Sequence, residues 1–458
     1  MNPINKLLVL ILIFVFTLTS DSAIPPKYGG VLRLAVFQNN LILDPTKNLT
    51  SIEYCISDSI FDGLVSLDRK GKVLPCIADS WTISDDKATY TFHISNSAKF
   101  HNGRKITSND VKFSWQRSIV NVESYLLTQS SLWLIQGVSN YRSGKSREIE
   151  GLKIIDENNI QILLEKPDDM FLSGLDSPVA WIVPRESTPK GIFVKNPIGS
   201  GPFKIKMESL SENVILQLIA NEDHIFGRPY LDGIKLIHIT DIETALLQFE
   251  TNEIDCLEIP NISYGRFRNN PAWFSRLFKS GDKQMVGIQV NSKSFPTKAR
   301  ISDILRYGID VQSILNMLYN QGTAISNDYQ PKRAEKLSQD SQVKLIKLIF
   351  FNSGDDIEKI ADRIALDLSK IGIDVNISPL NRDNFQKALT DKAYSLALRT
   401  IRMPLGKVDD LNIPSFVPLF YYDTNVLQKS DVQYLPNLVK NSLFQFEDMY
   451  FLRLQKGE

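Results

Sequence analysis

The sequence predicts an α/β protein of at least two lobes, with mixed parallel and antiparallel sheets. Three observations carry this. The chain has 458 residues, and single hydrophobic cores stop growing at about 250–300 residues. A strand–helix–strand unit is legible late in the chain, and such units build mostly parallel sheets. Shorter runs with period-two alternation add antiparallel pairing. No 20–50-residue repeat and no low-complexity linker is present, so several chain crossings should join the lobes.

In order along the chain, Leu7 to Leu18 is an almost purely apolar run behind Lys6. Small residues Ser20, Ser22 and Ala23 follow, then Pro25-Pro26. This is a signal-peptide pattern over 1–23, because a membrane-spanning helix needs about 20 apolar residues. An uncleaved anchor is the alternative. The first cysteine is Cys55, so no cysteine is placed for a lipid anchor, and soluble export is expected. Cys55, Cys76 and Cys256 match no zinc spacing. A Cys55–Cys76 disulfide and burial as small hydrophobes both stay open.

Val31 to Val36 reads as a strand. Tyr90, Phe92 and Ile94 alternate with polar neighbours as a half-buried strand. Thr107 to Asp110 has capping-box spacing and opens a helix carrying Val111, Phe113, Trp115 and Ile119. Ile160 to Leu164 and Val214 to Ile219 are further strands. The turn Pro197-Ile198-Gly199-Ser200-Gly201-Pro202 precedes the second of these. Val343 to Phe351 reads as a strand, Ile357, Ile360, Ala361, Ile364 and Leu368 recur at helical spacing, and Gly372 sits at the helix's C-terminal cap. Ile373, Val375 and Ile377 then alternate as a strand.

Lys+Arg and Asp+Glu number 52 each, so no net field draws the chain to nucleic acid, which is not expected as a partner. Only four histidines occur (His93, His101, His224, His238), none spaced as a metal pair on one helix face. No nucleophile elbow or phosphate loop is present, and Lys204 stands where a dinucleotide fingerprint would need its third glycine. No enzyme, cofactor or metal site is expected; a hydrolase would need a nucleophile or metal that the sequence does not display. Asp355-Asp356 reads as a helix start. Asp409-Asp410 fits a solvated loop or a contact to an amine.

Three groups of segments, collinear from about residue 30 to 260, resemble the bacterial extracellular solute-binding proteins of the oligopeptide- and dipeptide-binding family. The first holds Leu43-Asp44-Pro45, Ile60-Phe61-Asp62-Gly63-Leu64-Val65 and Val73-Leu74-Pro75-Cys76-Ile77-Ala78-Asp79-Ser80-Trp81. The second holds Tyr90-Thr91-Phe92-His93-Ile94, Ala98-Lys99-Phe100-His101-Asn102-Gly103 and Ile106 to Arg117. The third holds Gly199-Ser200-Gly201-Pro202-Phe203, Asn221, Gly227-Arg228-Pro229-Tyr230-Leu231-Asp232 and Glu253-Ile254-Asp255. Gly287 to Asn291, Tyr307-Gly308-Ile309-Asp310 and Val417 to Tyr422 continue the likeness more thinly.

The resemblance implies a two-lobed periplasmic-binding-protein fold of the type II, cluster C kind, its mixed sheets joined by hinge strands. It implies a signal peptide at 1–23 and a first lobe at 24–258 with an inserted subdomain at about 53–165. A shortened second lobe would span 259–416, and 417–458 would return to the first. It further implies a monomer that captures a peptide or peptide-like solute and delivers it to an ABC transporter permease in the membrane. A member retaining lobe motion as a sensor or interaction protein, without transport, is the alternative. Phe37, Asn39 and Asn40 lie on the loop that approaches the cleft in relatives, and Tyr421 and Tyr422 where relatives line the pocket. Strand alternation puts one tyrosine toward the ligand and the other toward the core.

The chain departs from the family at the second-lobe motif Gly-Trp-x-Ala-Asp-Tyr, whose aspartate holds a peptide amino terminus. Here Ile401 takes the tryptophan position and Pro404 the aspartate position, and a helical stretch between Asn412 and Phe416 is missing. A buried ammonium left unpaired costs several kcal/mol, on the order of what binding itself provides. Free amino termini should therefore bind poorly unless Asp409 or Asp410 substitutes. Arg399 and Arg402 are instead placed to hold a carboxylate or phosphate, or to form a solvated strand edge.

Overall fold

Val31–Val36 (β1) shows why the expected strands form. It is apolar at nearly every position because parallel strands flank it on both sides. The computed structural model describes residues 27–68, 71–207, 213–296, 299–326, 328–402, 415–434 and 449–451. The expected signal segment, Asp409, Asp410, Pro404 and the expected deletion after Asn412 lie outside the described residues.

After β1 comes the helix Ser51–Ile60 (α1), opened by a capping box in which Thr50 and Glu53 satisfy each other's backbone amides. Val65–Leu67 (β2) and Val73–Pro75 (β3) form a hairpin. Ala78–Ile83 (β4), Thr89–Ile94 (β5), Leu152–Ile154 (β6) and Asn159–Leu163 (β7) make a four-stranded antiparallel sheet in the order β4-β5-β7-β6. The helix Ser108–Asn121 (α2), with the expected Thr107–Asp110 capping box, packs Trp115 and Ile119 against it. A short helix Ser124–Gln129 (α3) follows.

This subdomain's core runs from Leu64 to Ile182, whereas α1 packs in the first lobe. The inserted unit is therefore shifted from the expected 53–165. Segments 171–182 carry no strand or long helix but bury Phe171, Leu175 and Ile182, which ties them to it.

The first lobe continues with Phe203–Ile205 (β8), Val214–Ala220 (β9), Gly233–His238 (β10), the helix Ile242–Glu250 (α4) and Cys256–Ile259 (β11). The long strand Leu277–Val290 (β12) then leads into the second lobe. That lobe contains the helix Ile301–Gly308 (α5), Gly322–Ala324 (β13), Leu345–Phe351 (β14), the helix Asp355–Ser369 (α6), Asp374–Leu380 (β15), the helix Arg382–Thr390 (α7) and Leu396–Arg402 (β16). Phe416–Gln428 (β17) returns. One sheet path runs β15-β14-β16-β12-β17-β11-β1-β10-β9-β8, with β13 paired to β17. The β14–α6–β15 unit is parallel, as its sequence periodicity indicates.

The lobes join within β12 and β17, not at residues 259 and 417. Within 259–278, Phe267, Trp273 and Leu277 bury against Phe249 and Leu257 of the first lobe, while Ile262 packs against the second-lobe core. Val417, Leu419 and Phe420 belong to the second-lobe core, while Asn425 to Gln428 pair with β11. The crossing is continuous strand even though β12 carries Ser280-Gly281-Asp282 there, residue types that ordinarily mark a turn.

All three cysteines are buried thiols with no disulfide between them, and burial pushes the Cys256 thiol up. Gly199 and Gly201 are required by close approach: a Cβ would lie 1.9 Å and 2.5 Å from the carbonyl oxygens of Ile60 and Ser59.

His101 fixes this turn. Its Nδ1 accepts from the Gly199 amide at 3.2 Å, which leaves the proton on Nε2 to be donated to the Gly201 carbonyl at 3.0 Å. Burial pushes its pKa down to about 4, so the fold binds this proton less readily than the unfolded chain does. The stabilisation is complete above the unfolded value near 6.5 and is lost as pH falls toward 4, up to roughly 3 kcal/mol in all. Urea unfolding at pH 7 and pH 4 should show His101→Gln losing that much less stability than the parent. Equal acid losses would remove His101 from the account.

Candidate functional site

Where parallel strands end, helices begin, and their free amides point at whatever lies beyond. Four helices do this toward one cavity of about 330 Å³ between the lobes. The N-termini of α1 (Thr50, Ser51) and α4 (Asp241, Ile242) reach it from the first lobe, and those of α6 (Gly354, Asp356) and α7 (Arg382) from the second. Phe37, the residue after β1, and Phe351, the last of β14, both lie on the wall. Gln284 and Tyr422 line it from the crossing strands β12 and β17. The volume matches a small solute, since small-molecule pockets start at about 300 Å³.

Several side chains bridge the lobes around this cavity. Arg382 donates from Nη1 to Glu53 at 2.5 Å and from Nη2 to the Asn48 carbonyl at 2.8 Å, and its guanidinium lies over the Phe351 ring. Glu53 is fully buried, and also accepts from the Ile42 and Thr50 amides and the Thr50 hydroxyl. The Gln284 amide donates to the Ser51 hydroxyl, and Asn48 to the Thr400 carbonyl at 3.4 Å. Asp356 accepts from the amides of Asn261 and Ile262, tying the start of α6 to the segment after β11.

Arg399, on β16, lines the cavity and reaches the subdomain: its Nη2 donates to the two Glu123 carboxylate oxygens at 3.2–3.3 Å and to the Tyr125 hydroxyl at 3.5 Å. Burial alone would lower the Arg399 pKa, but Tyr125 and Glu123 beside it lift it above the ordinary value. Burial also pushes the Tyr125 hydroxyl up.

Of the residues singled out in the sequence, Phe37, Arg399 and Tyr422 line the cavity. Asn39 and Asn40 are exposed and outside its lining. Arg402 is also outside it; its guanidinium stacks 3.4 Å from the centre of the Tyr54 ring. Tyr421 turns to the opposite face of β17 from Tyr422, packing near Tyr125, Met285 and Ile401 with Lys283 over its ring. Ile401, at the family's tryptophan position, fills that same small cluster. Arg382, Glu53 and Gln284 were not legible as site residues. The Thr50-x-x-Glu53 spacing does mark a helix start, and helix starts after parallel strands are where such cavities form. Among the described residues no cluster of potential metal ligands occurs, and no helix is long and apolar enough to cross a membrane.

The family of bacterial extracellular solute-binding proteins, family 5 (its middle region) matches residues 72–416. The heme-binding protein A of Haemophilus influenzae is 24% identical over 362 residues, covering 70% of this chain and 64% of that protein. The nickel-binding periplasmic protein of Escherichia coli is 25% identical over 363 residues, covering 69% and 65%. This chain thus matches just under two thirds of the length of either relative. In structure it is similar to the murein tripeptide binding protein MppA of Escherichia coli, with a TM-score of 0.79, 17% identity, and coverage of 94% of this chain and all of that one. With most of its length matched and a cavity between two lobes joined by crossing strands, the chain belongs to the family 5 bacterial extracellular solute-binding proteins, a family of binding proteins.

Proposed function

We propose that this protein captures a small solute, peptide or peptide-like, between its lobes outside the cytoplasm and hands it to an ABC transporter permease, without chemical change to the solute. The observation that carries this is the interlobe cavity, walled by four helix N-termini and two crossing strands. Such a cavity can close only if the guest contacts both walls, since a ligand shifts lobe closure only by contacts that differ between open and closed states. Relatives are named for binding haem, nickel and a murein tripeptide, so the family alone does not select the guest. The volume and the mixed polar and apolar wall favour a solute of dipeptide to tripeptide size. Export through the N-terminal apolar segment as a soluble monomer completes the reading.

A pool of tripeptides supplied at 100 times its dissociation constant should add about 2.7 kcal/mol of stability, read as a higher midpoint in thermal unfolding of the full mature chain. Absence of a shift with any peptide pool would sink the peptide part of this reading.

A further inference from the structure

A second cavity, of about 370 Å³, lies where the inserted subdomain meets the first lobe, and it shares no wall residue with the interlobe cavity. Phe113, Arg117 and Asn121 stand four residues apart on α2 and line it from one face of that helix. Arg185, Thr188 and Lys190 line it from the segment that leads out of the subdomain core into the first lobe. Three of these side chains are cations, and no carboxylate is on the wall.

The two arginines are held by the same device. The Arg117 guanidinium lies 5.1 Å from the centre of the Phe193 ring, and that of Arg185 lies 4.2 Å from the centre of the Phe113 ring. Stacking on a ring fixes the plane of a guanidinium and leaves its edge N–H groups open to an acceptor in that plane. The Arg117 side chain is 9% exposed. Its Nη2 donates to the Asp44 carboxylate at 2.6 Å, while its Nε is buried with no acceptor among the described residues. A buried guanidinium ordinarily has such donors filled.

The charge around this space is unbalanced. Arg185 and Lys190 are exposed and pair with no carboxylate among the described residues. The acids beside the wall in sequence are engaged elsewhere, Glu186 with Arg104 at 2.8 Å and Glu123 with Arg399. Asp44 faces Arg117 with one oxygen, and its other oxygen accepts from the Thr46 amide and hydroxyl. Lys190 is also held at a φ of 52°, in the left-handed region that a β-carbon disfavours. Residues persist there where their surroundings fix them, and ligand clamps are among such places.

We propose that this cavity binds a phosphate group, carried by a small phosphate ester or by the headgroup of an anionic phospholipid. A carboxylate offers one edge, which a single guanidinium fills. A phosphate offers oxygens in several directions and up to two charges, which suits three cations converging from two elements. The volume is that of a small-molecule pocket, about 300 Å³ and above, so the phosphate can carry an organic substituent. Because α2 and the 185–191 segment form the wall together, the bound group adds to the Arg117–Asp44 tie between subdomain and first lobe.

Calorimetry on the full chain at low ionic strength, with inorganic phosphate and glycerol phosphate as probes, tests this. Flotation with phosphatidylcholine vesicles, with or without phosphatidylglycerol, supplies the lipid arm. At least one phosphate-bearing probe should bind. Arg185→Gln and Lys190→Gln, both at exposed positions, should each weaken it by roughly 3–10-fold, between the worth of an exposed ion pair and that of a buried charged hydrogen bond. Lys336→Gln, at an exposed lysine of the second lobe, should leave it unchanged. Glycerol phosphate binding without vesicle association assigns the site to soluble esters. Association with phosphatidylglycerol vesicles that Lys190→Gln weakens assigns it to a lipid headgroup. Absence of binding by every phosphate-bearing probe would overturn the inference. So would binding that Arg185→Gln and Lys190→Gln leave unchanged, or that Lys336→Gln weakens equally. Each of these outcomes leaves solute capture between the lobes standing.

Discussion

Arg382→Ala is expected to open the protein. The substitution removes the only cationic partner of Glu53 among the described residues, and that carboxylate is fully buried when the lobes meet. Breaking a buried pair by removing one member costs about 3–5 kcal/mol, because the remaining charge is left uncompensated. Here the charge has an escape: Arg382 lies on α7 of the second lobe and Glu53 on α1 of the first, so separation of the lobes rehydrates Glu53 without unfolding either. The cost therefore falls on the closed state. Affinity for a bridging solute should drop by about two to three orders of magnitude, as the competent population shrinks. The radius of gyration from solution scattering should rise in the presence of solute at concentrations that close the parent. Glu53→Gln combined with Arg382→Met should recover more than the sum of the single effects, as coupled neighbours do. Unchanged scattering and affinity in Arg382→Ala would show that this bridge does not govern closure.

Trp115→Ala should destabilise the inserted subdomain by about 3–5 kcal/mol. The indole is wholly buried in the cluster with Phe92, Ile119 and Ile160. Its Nε1 also donates to the Ala180 carbonyl at 2.9 Å, which anchors a segment that has no strand of its own. Trp115→Phe keeps most of the volume and should lose less, chiefly the roughly 1–3 kcal/mol of an unsatisfied buried carbonyl. Urea unfolding measures both. A loss below about 1.5 kcal/mol for the alanine variant would mean that the site collapses to fill the space.

Where the sequence spoke clearly, it did so through period. β1, β5, β7, β9, α2 and the β14–α6–β15 unit all lie where alternation or helical recurrence places them, because each buries one face and the pattern records which. The lobe boundaries were not legible, for the physical reason that the chain changes lobe in mid-strand. At the crossing β12 carries Lys279-Ser280-Gly281-Asp282-Lys283 and β17 carries Asp423-Thr424-Asn425, runs too short to read as a linker. The bridge between Glu53 and Arg382 joins positions 329 residues apart, and no local signal carries such a pairing. The Thr50-x-x-Glu53 spacing marks Glu53 only as a capping residue, a role it fills at the same time. The alternation of Tyr421 and Tyr422 could be read, but which one faces the cavity depends on the pleat of β17. Asn39 and Asn40 were chosen because the loop after β1 approaches the cleft in relatives. In this chain it does so through Phe37 and Gln38, and again through Asn48 and Leu49 at its far end.

β12 and β17 join the two lobes as a paired ribbon. Two hydrogen-bonded strands, not a single tether, run from one body to the other, and their ladder is interrupted between Lys279 and Lys283. A ribbon of this kind is stiff to stretching and to sideways shear, and yields mainly by bending where the rungs are missing. The two bodies are thus left with close to one degree of freedom. Each time they approach, the same atoms arrive opposite one another, so selectivity can be written into fixed positions on the cavity wall and need not be rebuilt by search at every encounter.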